Sequence, residues 1–434
     1  MGPATTTLTT FKASSRTLGG FNNQYFFSWI LKVTRFGGET LSLVGFASNR
    51  GFGHWRRLRN YLTLPPLKDR AVLIAPMTLA NLSWEVVNSV GYVDGGARMV
   101  LEEDGSLQTT VKYDSHLPYK PSVEGYYLIP WAHAYLHRAR MLVVDAHNEP
   151  EIVYCDELFP QSADIVRLCR EQGLRKVVFT LETQVFRKLP LRYRRAFEKV
   201  DILLVPYEKE FFAECVSLEP FEEFEDKMFY AGSVINPSIV KILRTPKTKA
   251  REMLKLPADK TVIFCTYGKG EGAQRIVEAL VQIGDDFAAK HPGTHFIVSD
   301  PTGRFRQSMP SRPWLEFIGL DYQKAMMTMA ACDCTIQGLG TSTLLEGLVA
   351  GKPMVAISLE RPYEEQEAKG RGVEKFGLGE YLPISQVSPR SISNALQRVL
   401  EEGYGKKLRQ ALPRTLGNLK GAEKIADLLA SILS

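Results

Sequence analysis

Short apolar runs alternate along the chain with longer amphipathic stretches. Leu41 to Ala47, Arg70 to Ala75, Met141 to Asp145, Ile152 to Tyr154, Val177 to Leu181 and Ile202 to Val205 each have the length and composition of a buried strand. Helical spacing fits Trp55 to Tyr61, which Pro65 and Pro66 bring to a stop, and also Ala163 to Gln172 and Arg192 to Lys199. Val93 to Lys120 is polar, with turn pairs at Gly95-Gly96 and Asp104-Gly105, and predicts an irregular loop or a hairpin. Lys227 to Thr248 holds Gly232, Pro237 and Pro246 without one clear period, and predicts a linker. A second series then begins. Its strands are Val262 to Thr266, His295 to Ser299, Leu315 to Ile318, Cys334 to Gln337 and Met354 to Ile357. Helices fit Ala273 to Ile283, Gln323 to Ala331, Thr343 to Val349 and Ser391 to Glu401. A last helix, Ala422 to Leu433, can cap either half.

Strand followed by helix, repeated, is the grammar of a mostly parallel sheet with helices on both faces. Two such series predict an α/β chain of two Rossmann-like, doubly wound domains. The expected division is a tail at 1–39, one domain at 40–232 and a second at 233–434, with the last helix free to pack back on the first domain. Ligands bind such sheets at the carboxyl ends of the strands, so two of them facing each other enclose a cleft.

Three loops at predicted strand ends carry chemistry. Gln337 to Glu346 reads QGLGTSTLLE, with a strand before it and a helix after it. Gly338 and Gly340 let the backbone approach a phosphate. Thr341, Ser342 and Thr343 add hydroxyls, and the helix start adds about half a positive charge. Glu346, about one turn into the helix, has the chemistry to hold a pair of ribose hydroxyls. The same hydroxyl residues also cap ordinary helices. Tyr267 to Gly272 (YGKGEG) is a second glycine-rich loop, in which Gly268 and Lys269 are candidate phosphate contacts; a tight turn explains it equally well. Gly51, Gly53 and His54 follow the first predicted strand. A histidine at a helix start is kept neutral by the helix dipole and serves as a base near pH 7, or as a cap.

The order Gly338, Gly340, Thr341 to Thr343, Glu346, Gly351-Lys352-Pro353, a strand, Glu365-Gln366 and Gly377-Leu378-Gly379 resembles the nucleotide-binding half of GT-B glycosyltransferases. That group includes the peptidoglycan N-acetylglucosamine transferase and the UDP-glycosyltransferases. The resemblance runs from Trp314 to about Pro383. It implies a GT-B fold and an inverting, metal-independent transfer of a sugar from a nucleoside diphosphate sugar, UDP-sugar favoured, to a hydroxyl acceptor. It also implies roles: Gly340 to Thr343 at the diphosphate, Glu346 at the ribose, the backbone near Ile318 and Gly319 at the base, and Glu365 or Gln366 at the sugar. His54, in the family's Gly-x-Gly-His position, would be the general base. Glu182 stands where the peptidoglycan transferase has a His-Glu pair, and would orient that base or bind the acceptor. The family's usual Asp-Gln is Glu365-Gln366 here, which leaves the sugar open. Arg57 completes G-H-x-x-R, a pattern that also resembles a UDP-sugar hydrolase of pseudaminic acid biosynthesis; Arg57 reads equally as a surface arginine beside Arg56 and Arg59. A non-catalytic subunit that keeps the fold is the third reading.

Composition narrows the partners. The chain of 434 residues carries 54 basic and 48 acidic side chains, a net +6, too mild for a nucleic-acid binder and compatible with an anionic small molecule. No D-x-D motif points to a metal-bound diphosphate, and Cys332 and Cys334 lack the further ligands of a zinc site, so no metal and no cofactor beyond the donor are expected. The six cysteines fit reduced thiols in a cytoplasmic protein. No apolar stretch has the length of a membrane span. The basic run Leu191 to Arg195 leaves peripheral membrane contact open. The first 38 residues contain no Asp or Glu and several Ser and Thr, which fits an organelle-targeting segment or a tail. The acceptor stays open among lipid, saccharide and natural product; Trp84, Tyr92, Trp131 and Phe186 are candidates for its site or for the core. The oligomeric state is not legible.

Overall fold

The computed structural model describes residues 43–47, 52–67, 71–75, 91–94, 98–101, 107–110, 141–145, 176–181, 191–215, 218–267, 273–300, 303–309, 311–319, 321–359, 366–401, 404–417 and 419–434. In the first half, β1 (Leu43–Ala47) leads to α1 (Phe52–Leu62), then β2 (Ala71–Ala75) and β3 (Gly91–Asp94). The hairpin β4 (Arg98–Leu101) and β5 (Leu107–Thr110) follows, then β6 (Met141–Asp145), β7 (Lys176–Thr180), α2 (Leu191–Lys199), β8 (Ile202–Val205), α3 (Lys209–Cys215), a 3₁₀ turn (Glu219–Lys227) and β9 (Met228–Tyr230). Seven of these strands form a parallel sheet in the order β3-β2-β1-β6-β7-β8-β9.

The second half starts with α4 (Pro237–Leu243) and α5 (Lys247–Leu254), then runs β10 (Thr261–Thr266), α6 (Ala273–Lys290), β11 (Thr294–Ser299), α7 (Arg304–Ser308), β12 (Leu315–Ile318) and α8 (Tyr322–Ala331). It continues with β13 (Cys334–Gly338), α9 (Thr341–Val349), β14 (Met354–Ser358), α10 (Gln366–Lys375), β15 (Gly379–Pro383), α11 (Pro389–Leu400), α12 (Tyr404–Leu416) and α13 (Gly421–Leu433). Its six strands are parallel, in the order β12-β11-β10-β13-β14-β15.

Each sheet has one place where the winding reverses: between β1 and β6 in the first, between β10 and β13 in the second. The strand ends there diverge and leave a crevice. The helix α1 follows β1, Tyr267 follows β10 and Gly340 follows β13, so the described parts of the three candidate segments lie at the reversals.

Two expectations change. The segment Lys227 to Thr248 is not a linker: it supplies β9, α4 and the start of α5. Its prolines start helices rather than break them. Pro237 stands in the first turn of α4, where its missing N–H is not needed, behind the Asn236 side chain that accepts from the Ser238 N–H at 2.9 Å. Within Val93 to Lys120, Val93 belongs to a parallel strand, and β4 and β5 pair as an antiparallel hairpin. The predicted strand Ile152 to Tyr154 and helix Ala163 to Gln172 lie outside the described residues.

The halves share packing. Val177, Phe179, Tyr207, Phe211 and Phe212 of the first join Val262, Phe264, Leu339, Leu344 and Leu348 of the second in one buried cluster. The Phe211 ring lies 5.9 Å from that of Phe376. The α13 residues Ala422, Ile425, Ala426 and Leu429 bury against Leu43 and Met141 of the first sheet and Leu58 and Tyr61 of α1. This close approach needs a glycine: a Cβ at Gly421 would stand 2.4 Å from the Ser233 carbonyl oxygen.

One ionic cluster pins the amino edge of the second sheet. Asp333 accepts from Lys247 Nζ at 2.6 Å, Arg251 Nη2 at 2.6 Å and the Val262 N–H at 2.7 Å. Arg251 is 3% exposed and also donates to the Ala331, Ala258 and Lys260 carbonyls. Burial pushes the Asp333 carboxyl up, but Lys247, the Val262 N–H and Arg251 outweigh it and hold the group below its usual value. Asp333→Ala is expected to lower the unfolding free energy by about 3 kcal/mol, because it strands a buried guanidinium. The folded-state value is depressed, so this contribution is present above the ordinary carboxyl value of about 4 and fades as pH falls below it. Urea denaturation across that window checks both: the variant should lose less stability on acidification than the parent.

Candidate active site

The helix α9 starts without a side-chain cap. Its N-cap is Gly340 (φ −61°, ψ 137°), and the first intrahelical bond runs from the Leu344 N–H to the Gly340 carbonyl at 2.9 Å. The N–H groups of Thr341, Ser342 and Thr343 therefore point out of the helix end without intrahelical acceptors. The helix begins two residues before the predicted Thr343, so all three hydroxyl residues lie in its first turn. Among the described residues, a Cβ at Gly340 would meet nothing within 4 Å, so none of them fills the space beside this turn. Gly338 does need to be small: a Cβ there would stand 3.2 Å from the Tyr267 carbonyl oxygen, which brings the loop ends after β10 and β13 side by side.

The three hydroxyls differ. Thr341 Oγ1 lies 2.5 Å from the Tyr207 hydroxyl, which follows β8 of the first half. Ser342 Oγ is buried and has no hydrogen-bond partner among the described residues. The Tyr267 hydroxyl is likewise buried and unpartnered among them, with its ring edge-on to Phe305. Burial, with smaller effects of Cys265 and Asp300, pushes the Tyr267 phenol far up and keeps it neutral.

Glu346 is 3% exposed, and its carboxylate is held from both halves. Arg56 Nη1, from α1, donates to Oε1 at 2.7 Å; the Tyr322 hydroxyl, from α8, donates to the same oxygen at 2.8 Å. The Arg56 guanidinium lies over the Tyr322 ring at 4.5 Å. Burial pushes the Arg56 group down, but Glu346 and Tyr322 prevail and raise it. Burial first, and Glu346 second, push the Tyr322 phenol up, so it remains a donor.

The other candidate residues divide sharply. Arg57 is not a surface arginine: it is 2% exposed, because α1 turns Arg57, Leu58 and Tyr61 inward and leaves Arg56 facing the second half. Ile318 is buried at the end of β12, with its carbonyl accepting from the Asp300 N–H at 2.8 Å. Gln366 is buried at the start of α10, where its Oε1 accepts from the Leu359 N–H at 2.8 Å. Gly53 and His54 lie in the first turn of α1. Gly51, Glu182, Gly268, Lys269 and Glu365 lie outside the described residues, as do Trp84, Trp131 and Phe186. Arg194, in the basic run, is exposed and pairs with Glu223 at 2.5 Å. Cys265, Cys332 and Cys334 are buried free thiols. Among the described residues no helix is long and apolar enough to cross a membrane, and no group of His, Cys, Asp and Glu is placed to hold a metal.

Sequence reasoning missed Arg56, Tyr207 and Tyr322. Tyr207 had a usable signal, its place just past a predicted strand end. Arg56 and Tyr322 had none, since their partner is 290 and 24 residues away.

No protein-family model matches the chain. The NDP-glycosyltransferase YjiC of Bacillus licheniformis is 33% identical over 95 residues, 22% of this chain and 23% of that protein. The chain thus matches less than a quarter of that relative's length. The solved structure of the glycotransferase of kitacinnamycin superposes with a TM-score of 0.59 at 15% identity, covering 91% of this chain and 99% of that one. Anabaena HepE, solved in complex with UDP-glucose, gives 0.52 at 12% identity over 90% and 99%. These likenesses show the fold: two Rossmann-like halves in the GT-B arrangement.

Tyr207→Phe removes only the hydroxyl that meets Thr341. It is expected to cost about 1 kcal/mol of stability, the worth of one hydrogen bond, and thermal or urea unfolding measures it.

Proposed function

We propose that the chain is an enzyme that transfers a sugar from a nucleoside diphosphate sugar to a hydroxyl acceptor. One observation carries this: an uncapped helix start at the sheet's winding reversal, with a buried carboxylate one turn further along, opposite the helix that bears His54. The three N–H groups of α9 suit a diphosphate, whose charge grows as the bond to the sugar breaks. The Ser342 hydroxyl, which has no partner among the described residues, adds a donor there. Glu346 suits the ribose hydroxyls.

In the reaction, His54 takes the proton of the acceptor hydroxyl. The acceptor oxygen attacks the anomeric carbon from the face opposite the diphosphate, the bond to the diphosphate oxygen breaks, and the configuration inverts. The helix start stabilises the departing charge, so the chemistry asks for no metal and no cofactor beyond the donor. The UDP-glucose complex of the similarly folded HepE supports a uracil nucleotide, and the local likeness to an NDP-glycosyltransferase supports sugar transfer. The acceptor is a saccharide, lipid or natural product. The working parts are the halves 40–232 and 233–434.

Phosphorus NMR with UDP-, GDP- and dTDP-sugars tests this. The expected result is selective donor binding with little release of diphosphate until an acceptor is added. Steady release without acceptor would instead make the protein a nucleotide-sugar hydrolase, and absence of binding to every donor would overturn the reading. His54→Ala is expected to retain donor affinity within about twofold and to lose at least about a hundredfold in transfer rate, as loss of a general base does. Unchanged turnover would remove His54 from the mechanism.

A further inference from the structure

We infer that Arg56 is a positioning residue for donor recognition: it holds the Glu346 carboxylate so that one oxygen faces the ribose, and so makes nucleotide capture depend on the helix that bears His54. This rests on the reading of Glu346 as the ribose-binding group.

Both hydrogen bonds that the carboxylate accepts among the described residues end on Oε1, from Arg56 at 2.7 Å and Tyr322 at 2.8 Å. A carboxylate offers about four acceptor positions over its two oxygens. Two donors on one oxygen fix the rotation of the group and leave Oε2 to accept from a ligand. Side chains on a helix lean toward its N-terminus, so the Glu346 carboxylate lies over the turn that carries the three outward N–H groups. A ribose bound at Oε2 then lies on the same side of the helix as a phosphate at its start, the order in which a nucleoside diphosphate carries the two groups.

Arg56 is suited to hold rather than merely to neutralise. Its guanidinium is confined on one side by the Tyr322 ring at 4.5 Å and on its edge by Glu346, and its side chain is only 21% exposed. A lysine would bring the charge without the flat face or the directed N–H. Glu346 and Tyr322 belong to the second half, whereas Arg56 enters from α1, two residues after His54. The geometry of the ribose contact and the placement of the candidate base are thereby set by the same rigid helix.

Binding of UDP and 2′,3′-dideoxy-UDP to the full chain, measured by titration calorimetry, tests the inference. The wild type is expected to prefer UDP by more than about tenfold, since hydrogen bonds to a charged group are at stake. Arg56→Gln should lose most of that preference and approach Glu346→Gln, while its affinity for the dideoxy nucleotide changes less than about twofold. Arg56→Lys should recover part of the preference, and the double variant Arg56→Gln, Glu346→Gln should be no worse than either single one. A proportional loss for both nucleotides would show a merely structural role and overturn the inference. Tighter UDP binding by Arg56→Gln would also overturn it, by making Arg56 a block on the site. If the wild type binds UDP and shows no preference, Glu346 does not bind ribose and the inference falls with that assignment. Circular dichroism and pyrophosphate binding, which needs only the helix start, confirm that each variant is folded.

Discussion

A helix that begins with no side chain folded over its first turn has three peptide N–H groups to satisfy from elsewhere, and the site around α9 is organised by that fact. Gly340 as N-cap cannot supply an oxygen, and Thr341 turns its hydroxyl to Tyr207 rather than to the helix's own backbone. The strand before it is buried along its whole length and anchors the approach to the helix start. Gly347 lets the helix lie close on that strand, since a Cβ there would stand 2.5 Å from the Gln337 amide oxygen. The result is an electropositive turn beside space that no described residue fills. Preorganised donors of this kind need no rearrangement when charge develops near them.

The second constraint is that the two sheets do not act alone. A shared apolar cluster, the return of α13 to the first sheet, and the Arg56–Glu346 and Tyr207–Thr341 contacts tie them together, and residues Thr40–Ser434 cluster as one unit. Every polar tie named here ends in α9. Among the described residues, Tyr207 of the first half meets a hydroxyl of the first turn of α9 and Arg56 meets the carboxylate further along the helix.

The fold was largely legible because parallel strands buried on both faces read as unbroken apolar runs. Met141–Asp145, Ile202–Val205 and Leu315–Ile318 have the bounds their composition predicts. Lys227 to Thr248 was misread because proline is ambiguous: it ends a helix in one position and starts it in another, and only the Asn236 cap separates the two cases. Within the candidate site the helix start and the position of Glu346 along it were readable from glycines and hydroxyls. The rotational phase of α1 was not. Three arginines within four residues give no hint which faces inward, so in the sequence Arg57 reads equally as part of G-H-x-x-R and as a surface residue, and Arg56 has no role. That choice is made by packing against α9 and α13, which no local pattern records.

The central claim is that the first turn of α9 receives a diphosphate. Selective ¹⁵N labelling of threonine, with a transverse-relaxation-optimised spectrum recorded as UDP and then pyrophosphate are added, observes the turn itself through the amides of Thr341 and Thr343. Both signals should move with either ligand, downfield as an N–H meets an anion, and should be the most perturbed threonines in the chain. Binding of UDP that leaves these two amides in place and shifts others would contradict the account.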